Sequence, residues 1–470
     1  MSRRQRALVA LPAVVLAALA AGAAVNVATI AAPAHADPRL DAARPAVPLV
    51  SVRRDLGPLA EQAADRRLVR GLDEFVASMP ADTCLRVDVD DVRYAHRTDD
   101  PQVPASANKV LTAVAALVAL GPDFRHVTTV TTPTPPVDGV VAGDLHLVGG
   151  GDPLLAVAEY AARYDRAQLF SDVRALADAV VAAGVRRVDG AIVGDESRYP
   201  PVRYHPAWPP RFATQDQTGP LSALMVNDGF VEWPPSGTAP VEPAPDPAAH
   251  AAELLRVLLE ERGVTVGAGA RSGPAPAGAP EVAQHRSPPL RDVVGQMLAE
   301  SDNTTAELLL KELGLQEGGA GTFEAGAATV EQVLAEAGFD LTGLDVVDGS
   351  GLADGNRVDC DLLVELLEHP PTADAVRAGL AVAGETGTLA ERWLDSDLVG
   401  RVRAKTGTLN QVTALVGYAD GRVDEDAAFA LVVNVAEPER IQLETIAAQE
   451  RLLDLLVRHP DPPDLARFEP

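Results

Sequence analysis

The chain has 470 residues, 47% of them hydrophobic and 23% charged, which is typical of a globular protein with two or more domains. A formal net charge of −27 argues against the basic face that nucleic-acid binding requires, so no nucleic-acid partner is predicted. The nine histidines are scattered and no HExxH or CxxC motif occurs, so neither a metal site nor a cofactor is predicted.

Residues 1–36 have the features of an export signal. The basic segment MSRRQR precedes an apolar run over residues 7–32, and AHA at residues 34–36 is a small-x-small cleavage pattern. The run is long enough for an uncleaved membrane anchor, but its proline, glycine and asparagine favour cleavage after Ala36. We therefore predict an exported protein, in the cell wall or secreted, with membrane association only if the segment is retained. Residues 37–67 are of mixed composition and contain proline, and we predict that they form a lead-in to the first domain.

Hydrophobic patterning predicts strands and one buried helix early in the chain. Residues 83–94 alternate apolar and polar side chains, which predicts a strand and a turn. The nearly unbroken apolar run from Val110 predicts a buried helix that begins near Ser106 and stops at Gly121. Residues 124–152 are rich in β-branched residues and predict further strands.

The rest of the chain predicts a mixture of helices, strands and Pro/Gly-rich loops. In the middle we predict a helix at 167–184, a strand at 188–195, loops at 233–247 and 267–289, and a helix at 251–263. Later we predict helices over 289–314 with a break near Ser301, strands at 411–419 and 427–436, and an amphipathic helix at 441–458. Hairpins beside a C-terminal helix indicate an α/β layer packing.

The two cysteines, Cys84 and Cys360, allow two interpretations. Outside the cytoplasmic membrane they are able to form one disulfide, whereas as two buried small hydrophobic residues they would stay thiols. The sequence contains no geometry that decides between them.

Lysine is rare: the 40 basic residues include only Lys109, Lys311 and Lys405. Arginine does not lose its proton near neutral pH, so each lysine is a candidate for proton chemistry. Ser106 and Lys109 form an SxxK tetrad, whose spacing places both side chains on one helix face. A serine needs a base to attack a carbonyl, and burial or a second positive charge lowers the pKa of a lysine enough for that role. Alone, the tetrad is an ordinary surface pair.

The tripeptide Ser301-Asp302-Asn303 lies at the predicted helix break. Its hydroxyl and its amide, if they point the same way, are able to relay a proton and to hold a peptide carbonyl. Alone, the tripeptide is a helix N-cap.

The segment Lys405-Thr406-Gly407-Thr408 opens the last strand region. Its lysine supplies a second positive charge, and its two threonine hydroxyls are able to bind a substrate carboxylate. Gly407 permits close approach of another backbone. Alone, the segment is an ordinary turn.

The three motifs, in this order, resemble those of the penicillin-recognising serine enzymes. Together with PASANK, LVGGGDPLL, SDNTTAELL, VVDGSGL and AKTGTL, they resemble the class C low-molecular-mass penicillin-binding proteins, which are D-alanyl-D-alanine carboxypeptidases and endopeptidases. The resemblance implies an α/β (α+β) fold: a β-lactamase/transpeptidase-like domain with an antiparallel sheet flanked by helices. The long separation between Lys109 and Ser301 matches the inserted domain of this class. We therefore expect a signal peptide at 1–36, a catalytic domain at 37–127 and 277–470, and an insertion at 128–276.

The resemblance also implies a mechanism. Ser106 would attack the penultimate D-Ala carbonyl of a peptidoglycan stem peptide while Lys109 takes its proton. The N–H groups of Ser106 and Thr408 would bind the oxyanion. Ser301 would pass a proton to the leaving D-Ala, and Asn303 would hold the peptide and Lys109.

The same resemblance assigns the KTG segment to the substrate carboxylate. Lys405 would keep Lys109 neutral and, with Thr406, Gly407 and Thr408, would form the carboxylate site. Water would hydrolyse the acyl-enzyme, and β-lactams would acylate the serine as inhibitors. Two alternatives are a serine β-lactamase of the same superfamily and a non-catalytic cell-wall-binding module.

The tetrapeptide TGTL occurs twice, at residues 386–389 and 406–409. Lys405 precedes the second copy and suits a positive site, whereas Glu385 precedes the first and would favour the protonated form of a nearby lysine. The first copy, in GETGTLAER, resembles a glycine-containing loop that class C enzymes carry before the KTG strand, and this resemblance implies a loop that borders the site.

Overall fold

The computed structural model describes residues 57–163, 168–215, 217–234, 241–421 and 426–460. The predicted export signal and the centre of the loop predicted at 233–247 lie outside the described residues. None of the helices within these ranges combines the length and the apolarity that a bilayer crossing requires.

The helices of the described ranges are α1 (Gly57–Ala77), α2 (Lys109–Ala119), α3 (Ala158–Ala161), α4 (Val173–Ala182), α5 (Pro247–Glu261), α6 (Leu290–Glu300), α7 (Asn303–Gln316), α8 (Phe323–Glu336), α9 (Cys360–Leu367), α10 (Ala373–Gly379) and α11 (Leu443–Val457). The strands are β1 (Asp82–Val89), β2 (Val92–His96), β3 (Val127–Thr131), β4 (Val140–Val141), β5 (Leu145–Val148), β6 (Leu155–Ala156), β7 (Ser171–Asp172), β8 (Arg187–Val188), β9 (Ile192–Asp195), β10 (Phe230–Glu232), β11 (Glu242–Pro243), β12 (Thr265–Val266), β13 (Ala270–Ser272), β14 (Glu281–Arg286), β15 (Ala381–Val382), β16 (Val402–Leu409), β17 (Val412–Asp420) and β18 (Asp426–Asn434).

A six-stranded antiparallel sheet, in the order β15-β16-β17-β18-β1-β2, forms the main layer. Successive side chains of a strand point to opposite faces. In β17, Val412, Ala414 and Val416 therefore pack against one helical layer, while Leu415 and Ala419 pack against another. Both faces of this strand are buried, which explains its almost continuous apolar sequence.

The two helical layers come from different parts of the chain. Helices α2, α6, α7, α8 and α9 cover one face with a core that includes Leu111, Val294 and Leu309. Helices α1 and α11 cover the other face with residues such as Leu72 and Leu452. The predicted α/β (α+β) architecture, with an antiparallel sheet flanked by helices, is confirmed.

A disulfide joins the sheet to one of its helical layers. Cys84 on β1 is bonded to Cys360, the first residue of α9, and their Cα atoms are 6.2 Å apart. The structure therefore decides between the two interpretations of the cysteine pair in favour of the disulfide.

Residues 127–286 form sheets and a hydrophobic core of their own. Their largest sheet has the order β13-β9-β5-β3-β14, and Val130, Leu147, Leu176 and Leu255 belong to their core. The chain enters through β3 and leaves through β14, and these two strands pair with each other in antiparallel fashion. We propose that this segment is the inserted domain. The limits of 128–276 stay a prediction, and the sheet includes β14 beyond them.

Some local predictions were wrong. The Pro/Gly-rich tract at 267–289 contains two strands, β13 and β14, because pairing with β9 and β3 outweighs its turn-forming composition. The predicted lead-in at 37–67 overlaps helix α1, whose buried residues Ala64, Leu68 and Leu72 recur every fourth position.

Candidate active site

Ser106 lies in a single 3-10 turn, Ala105–Asn108, that continues directly into α2. It is the one residue of this turn that is not buried. Ala105 has a positive φ of 47°, a conformation that costs a non-glycine residue about 1–3 kcal/mol. A Cβ on Gly351 would lie 1.9 Å from the Ala105 carbonyl oxygen, so a glycine is required where the loop after residue 348 touches the turn. The strained turn is thus buried except at Ser106, whose side chain stays partly exposed.

Lys109 is fully buried below Ser106. Its Nζ lies 3.0 Å from Ser106 Oγ, and it also donates to Asn303 Oδ1 at 2.6 Å and to the Ser350 carbonyl at 2.7 Å. Burial lowers the pKa of Lys109 to about 8, although the nearby carboxylate of Glu307 opposes this effect. The geometry and the lowered pKa together suit a base that removes the serine proton.

The SDN tripeptide follows the predicted break between two helices. Ser301 ends α6 in a left-handed conformation, with φ of 61°, and the Asp302 side chain caps α7 by accepting from the Thr305 N–H. Asn303 is then the first residue of α7, and its amide accepts from Lys109 and donates to the Gln217 carbonyl at 2.6 Å. The tripeptide is therefore both the predicted N-cap and part of the polar group around the lysine.

Strand β16 carries the KTG segment past the serine turn. A Cβ on Gly407 would lie 2.7 Å from the Pro104 carbonyl oxygen and 3.2 Å from the Ala107 nitrogen, so the strand passes directly beside the turn. Lys405 is fully buried and donates to the Thr406 carbonyl at 2.8 Å. Burial lowers the pKa of Lys405 well below its usual value, and the charge of Lys109 lowers it further.

The structure brings the predicted residues together in three ways. Ser106, Lys109 and Asn303 share direct hydrogen bonds, and Lys405 joins them through its electrostatic repulsion with Lys109. Of the remaining predicted residues, Thr406, Gly407 and Thr408 follow Lys405 on β16, and Ser301 lies between α6 and α7, where it lines a cleft together with Asn303. Thr408 is exposed and Thr406 half-buried, so both hydroxyls lie near the surface where a ligand would arrive.

Two buried acids that the sequence analysis did not single out fix the position of the lysine. Glu307 accepts from the N–H groups of Gly349 and Ser350, and Asp348 accepts from the N–H of Gly351 and from the Trp208 indole. Burial and the charge of Asp348 raise the pKa of Glu307. These contacts hold the loop at residues 348–351, whose Ser350 carbonyl accepts a hydrogen bond from Lys109. The only signal was a glutamate four residues after Asn303, one turn further along the same predicted helix.

The third lysine, Lys311, lies one helical turn beyond Glu307 on α7. It is buried, and its Nζ lies 3.9 Å from the centroid of the Phe323 ring. The arrangement is a cation–π contact in the core and lies outside the hydrogen-bonded group around Ser106.

A cleft opens beside the SDN tripeptide, between α7 and residues 127–286. Ser301, Asn303, Gln217, Tyr160 and Phe230 contribute to its walls. A concave surface lined by both polar and apolar side chains suits a peptide chain, which has polar amides and apolar side chains. Within the described part of the chain, no group of His, Cys, Asp and Glu residues is arranged to hold a metal ion.

Comparison with known proteins places this chain in a family. The family model of the D-Ala-D-Ala carboxypeptidase 3 (S13) family matches residues 72–236 and 240–453. The chain is 31% identical to a D-alanyl-D-alanine carboxypeptidase from Actinomadura sp. (strain R39), over 82% of this chain and 81% of the relative. It is 34% identical to carboxypeptidase DacB from Mycolicibacterium smegmatis, over 74% of this chain and 75% of the relative.

Among solved structures, the fold is similar to that of penicillin binding protein 4 (dacB) from Haemophilus influenzae. The TM-score is 0.68 at 20% identity, over 82% of this chain and 98% of that chain. The fold predicted from the motifs is therefore confirmed. On the family match and its relatives, the chain belongs to the D-Ala-D-Ala carboxypeptidase 3 (S13) family and is a serine-type carboxypeptidase, as its motifs predict.

Proposed function

We propose that the protein removes the terminal D-Ala from peptidoglycan stem peptides through an acyl-enzyme on Ser106. The observation that carries the proposal is the buried Lys109 Nζ, 3.0 Å from Ser106 Oγ, with its pKa lowered to about 8. A lysine in this state accepts a proton near neutral pH, which an exposed lysine does not.

Acylation begins when Ser106 Oγ attacks the carbonyl carbon of the penultimate D-Ala. Lys109 takes the hydroxyl proton, and the negative oxygen that forms is bound by the N–H groups of Ser106 and Thr408. The close approach of β16 to the serine turn at Gly407 supports this pairing of two backbone donors from different elements.

Departure of the terminal D-Ala requires a proton on its nitrogen. Ser301 passes to this nitrogen the proton that Lys109 took from Ser106, as the C–N bond breaks and the acyl-enzyme forms. Asn303 holds Lys109 and the peptide in place. The contact of Asn303 with Gln217 supports this role, because it ties the amide to the wall of the cleft that would receive the peptide.

The carboxylate of the terminal D-Ala binds at β16. Thr406, Gly407 and Thr408 form the surface that meets the carboxylate, and the negative charge of a bound carboxylate favours the protonated form of the buried Lys405 beneath it. Water then hydrolyses the acyl-enzyme. β-Lactams acylate the same serine and leave slowly, which makes them inhibitors.

Export of the protein is a further part of the proposal, because its substrate lies outside the cytoplasmic membrane. The signal-like sequence at 1–36 and the disulfide between Cys84 and Cys360 support it, since disulfides persist in oxidising compartments. Membrane association is expected only if residues 1–36 are retained.

Three assays on the purified protein separate the alternatives. Release of D-Ala from a stem pentapeptide would support carboxypeptidase activity. The ratio of this rate to the rate at which a cross-linked dimer is cleaved shows which of the two activities, carboxypeptidase or endopeptidase, is faster. Rapid turnover of a β-lactam without D-Ala release would instead indicate a β-lactamase. Failure of a fluorescent penicillin to label the protein would indicate a non-catalytic wall-binding module.

A further inference from the structure

The two copies of TGTL touch each other. Thr388, in the loop of the first copy, has its Oγ1 3.0 Å from Oγ1 of Thr406, in the strand of the second copy. The Thr388 side chain makes no other hydrogen bond within the described part of the chain. The first copy is thus a direct neighbour of the surface that binds the carboxylate.

The loop that carries Thr388 is fixed without the help of that hydroxyl. The Thr386 hydroxyl accepts from the Val382 N–H at 2.9 Å, and Leu389 is buried in the core below the sheet. Gly387 has a φ of 58°, and a Cβ there would lie 2.2 Å from the Ala299 carbonyl oxygen of α6. The loop is therefore wedged between α6 and β16, and Thr388 is held beside Thr406.

The chemistry of the bound state sets the direction of the hydrogen bond between the two threonines. A hydroxyl has one proton to donate, and a carboxylate only accepts. When the Thr406 hydroxyl donates to a substrate carboxylate, it has no proton left for Thr388, so Thr388 must donate to Thr406. Such a chain of hydroxyls is polarised, and each hydrogen bond strengthens the next.

We propose that Thr388 is a positioning residue for the terminal carboxylate of the substrate, acting through Thr406. The inference rests on the proposed function of the β16 surface. It gives the first TGTL copy a role in substrate specificity: Thr388 orients the Thr406 proton towards the carboxylate and away from the protein. Ligands with a terminal carboxylate should need the Thr388 hydroxyl, and ligands without one should not.

The test compares Thr388→Val, Thr388→Ser and the control Thr265→Val, which removes an exposed threonine hydroxyl from β12, outside the loop that holds Thr388. In Thr388→Val we expect KM for a D-Ala-D-Ala peptide to rise about three- to tenfold, the range for one hydrogen bond, with kcat little changed. The affinity for a peptide boronic acid that ends at the acyl position, and so lacks the terminal carboxylate, should stay at the wild-type value. Thr388→Ser should restore KM, and Thr265→Val should leave the values for both ligands at those of the wild type.

Two results would overturn the inference. One is a folded Thr388→Val enzyme with wild-type KM for the peptide, and the other is an equal loss of affinity for the peptide and the boronic acid. A wild-type enzyme that releases no D-Ala would instead refute the proposed function, so the two failures are distinguishable.

Discussion

Replacement of Gly407 by alanine tests the contact on which the active-site geometry depends. The added Cβ would lie 2.7 Å from the Pro104 carbonyl oxygen and 3.2 Å from the Ala107 nitrogen, both of them backbone atoms that flank Ser106. Neither atom is able to move as the end of a flexible side chain would. Strand β16 and the serine turn must therefore separate by several tenths of an ångström.

The expected loss follows from the geometry of nucleophilic attack. Reacting atoms must be held within about 3–3.5 Å, and a displacement of about 1 Å costs about 100-fold in rate. For the smaller shift in Gly407→Ala, we expect penicillin acylation to slow about 10- to 100-fold. The fold should persist, because β16 keeps its full register with β17 from Val402 to Leu409.

The assay is the rate of labelling by a fluorescent penicillin, with circular dichroism to confirm folding. Gly269→Ala is the matched control, because no atom lies within 4 Å of its added Cβ and its φ is unexceptional. A well-folded Gly407→Ala protein that is labelled at the wild-type rate would refute the close approach of β16 to the serine turn.

Three further predictions follow from the same structure. The acylation rate should rise with pH and level off above a midpoint near 8, because Lys109 acts as a base only after losing its proton; a rate independent of pH between 6 and 10 would contradict this role. Asn303→Ala removes a hydrogen-bond acceptor from the lysine and should slow acylation about 10- to 100-fold, so a rate within twofold of wild type would count against the contact. Replacing Cys84 and Cys360 together by alanine should lower the free energy of unfolding by about 2–5 kcal/mol in urea titrations, and an unchanged midpoint would show that the bond is absent in solution.

The main features of the site were predictable because they depend on short sequence patterns. The SxxK spacing places Ser106 and Lys109 one above the other wherever a helix begins, and the apolar run after Val110 ensures that this helix is buried. The cap residues at 301–303 likewise mark the break between α6 and α7. The order of the three motifs in the sequence pointed to a family, and the family resemblance then supplied the roles expected of them.

The contacts that hold the lysine and the threonines were not predictable from local pattern. Glu307 meets the loop at Ser350, and Thr388 meets Thr406, only because the sheet and helices bring distant segments together. Periodicity describes which face of an element is buried and does not identify the partner across that face. The early helix α1 was missed for a different reason, because its mixed composition masked the four-residue recurrence of apolar positions.

The most direct test of the central claim is mass spectrometry of the protein after treatment with penicillin. We expect one added penicilloyl group on the peptide that contains Ser106, and no addition to a folded Ser106→Ala variant. Labelling of the Ser106→Ala variant, or a modified peptide elsewhere in the chain, would contradict the assignment of Ser106 as the nucleophile.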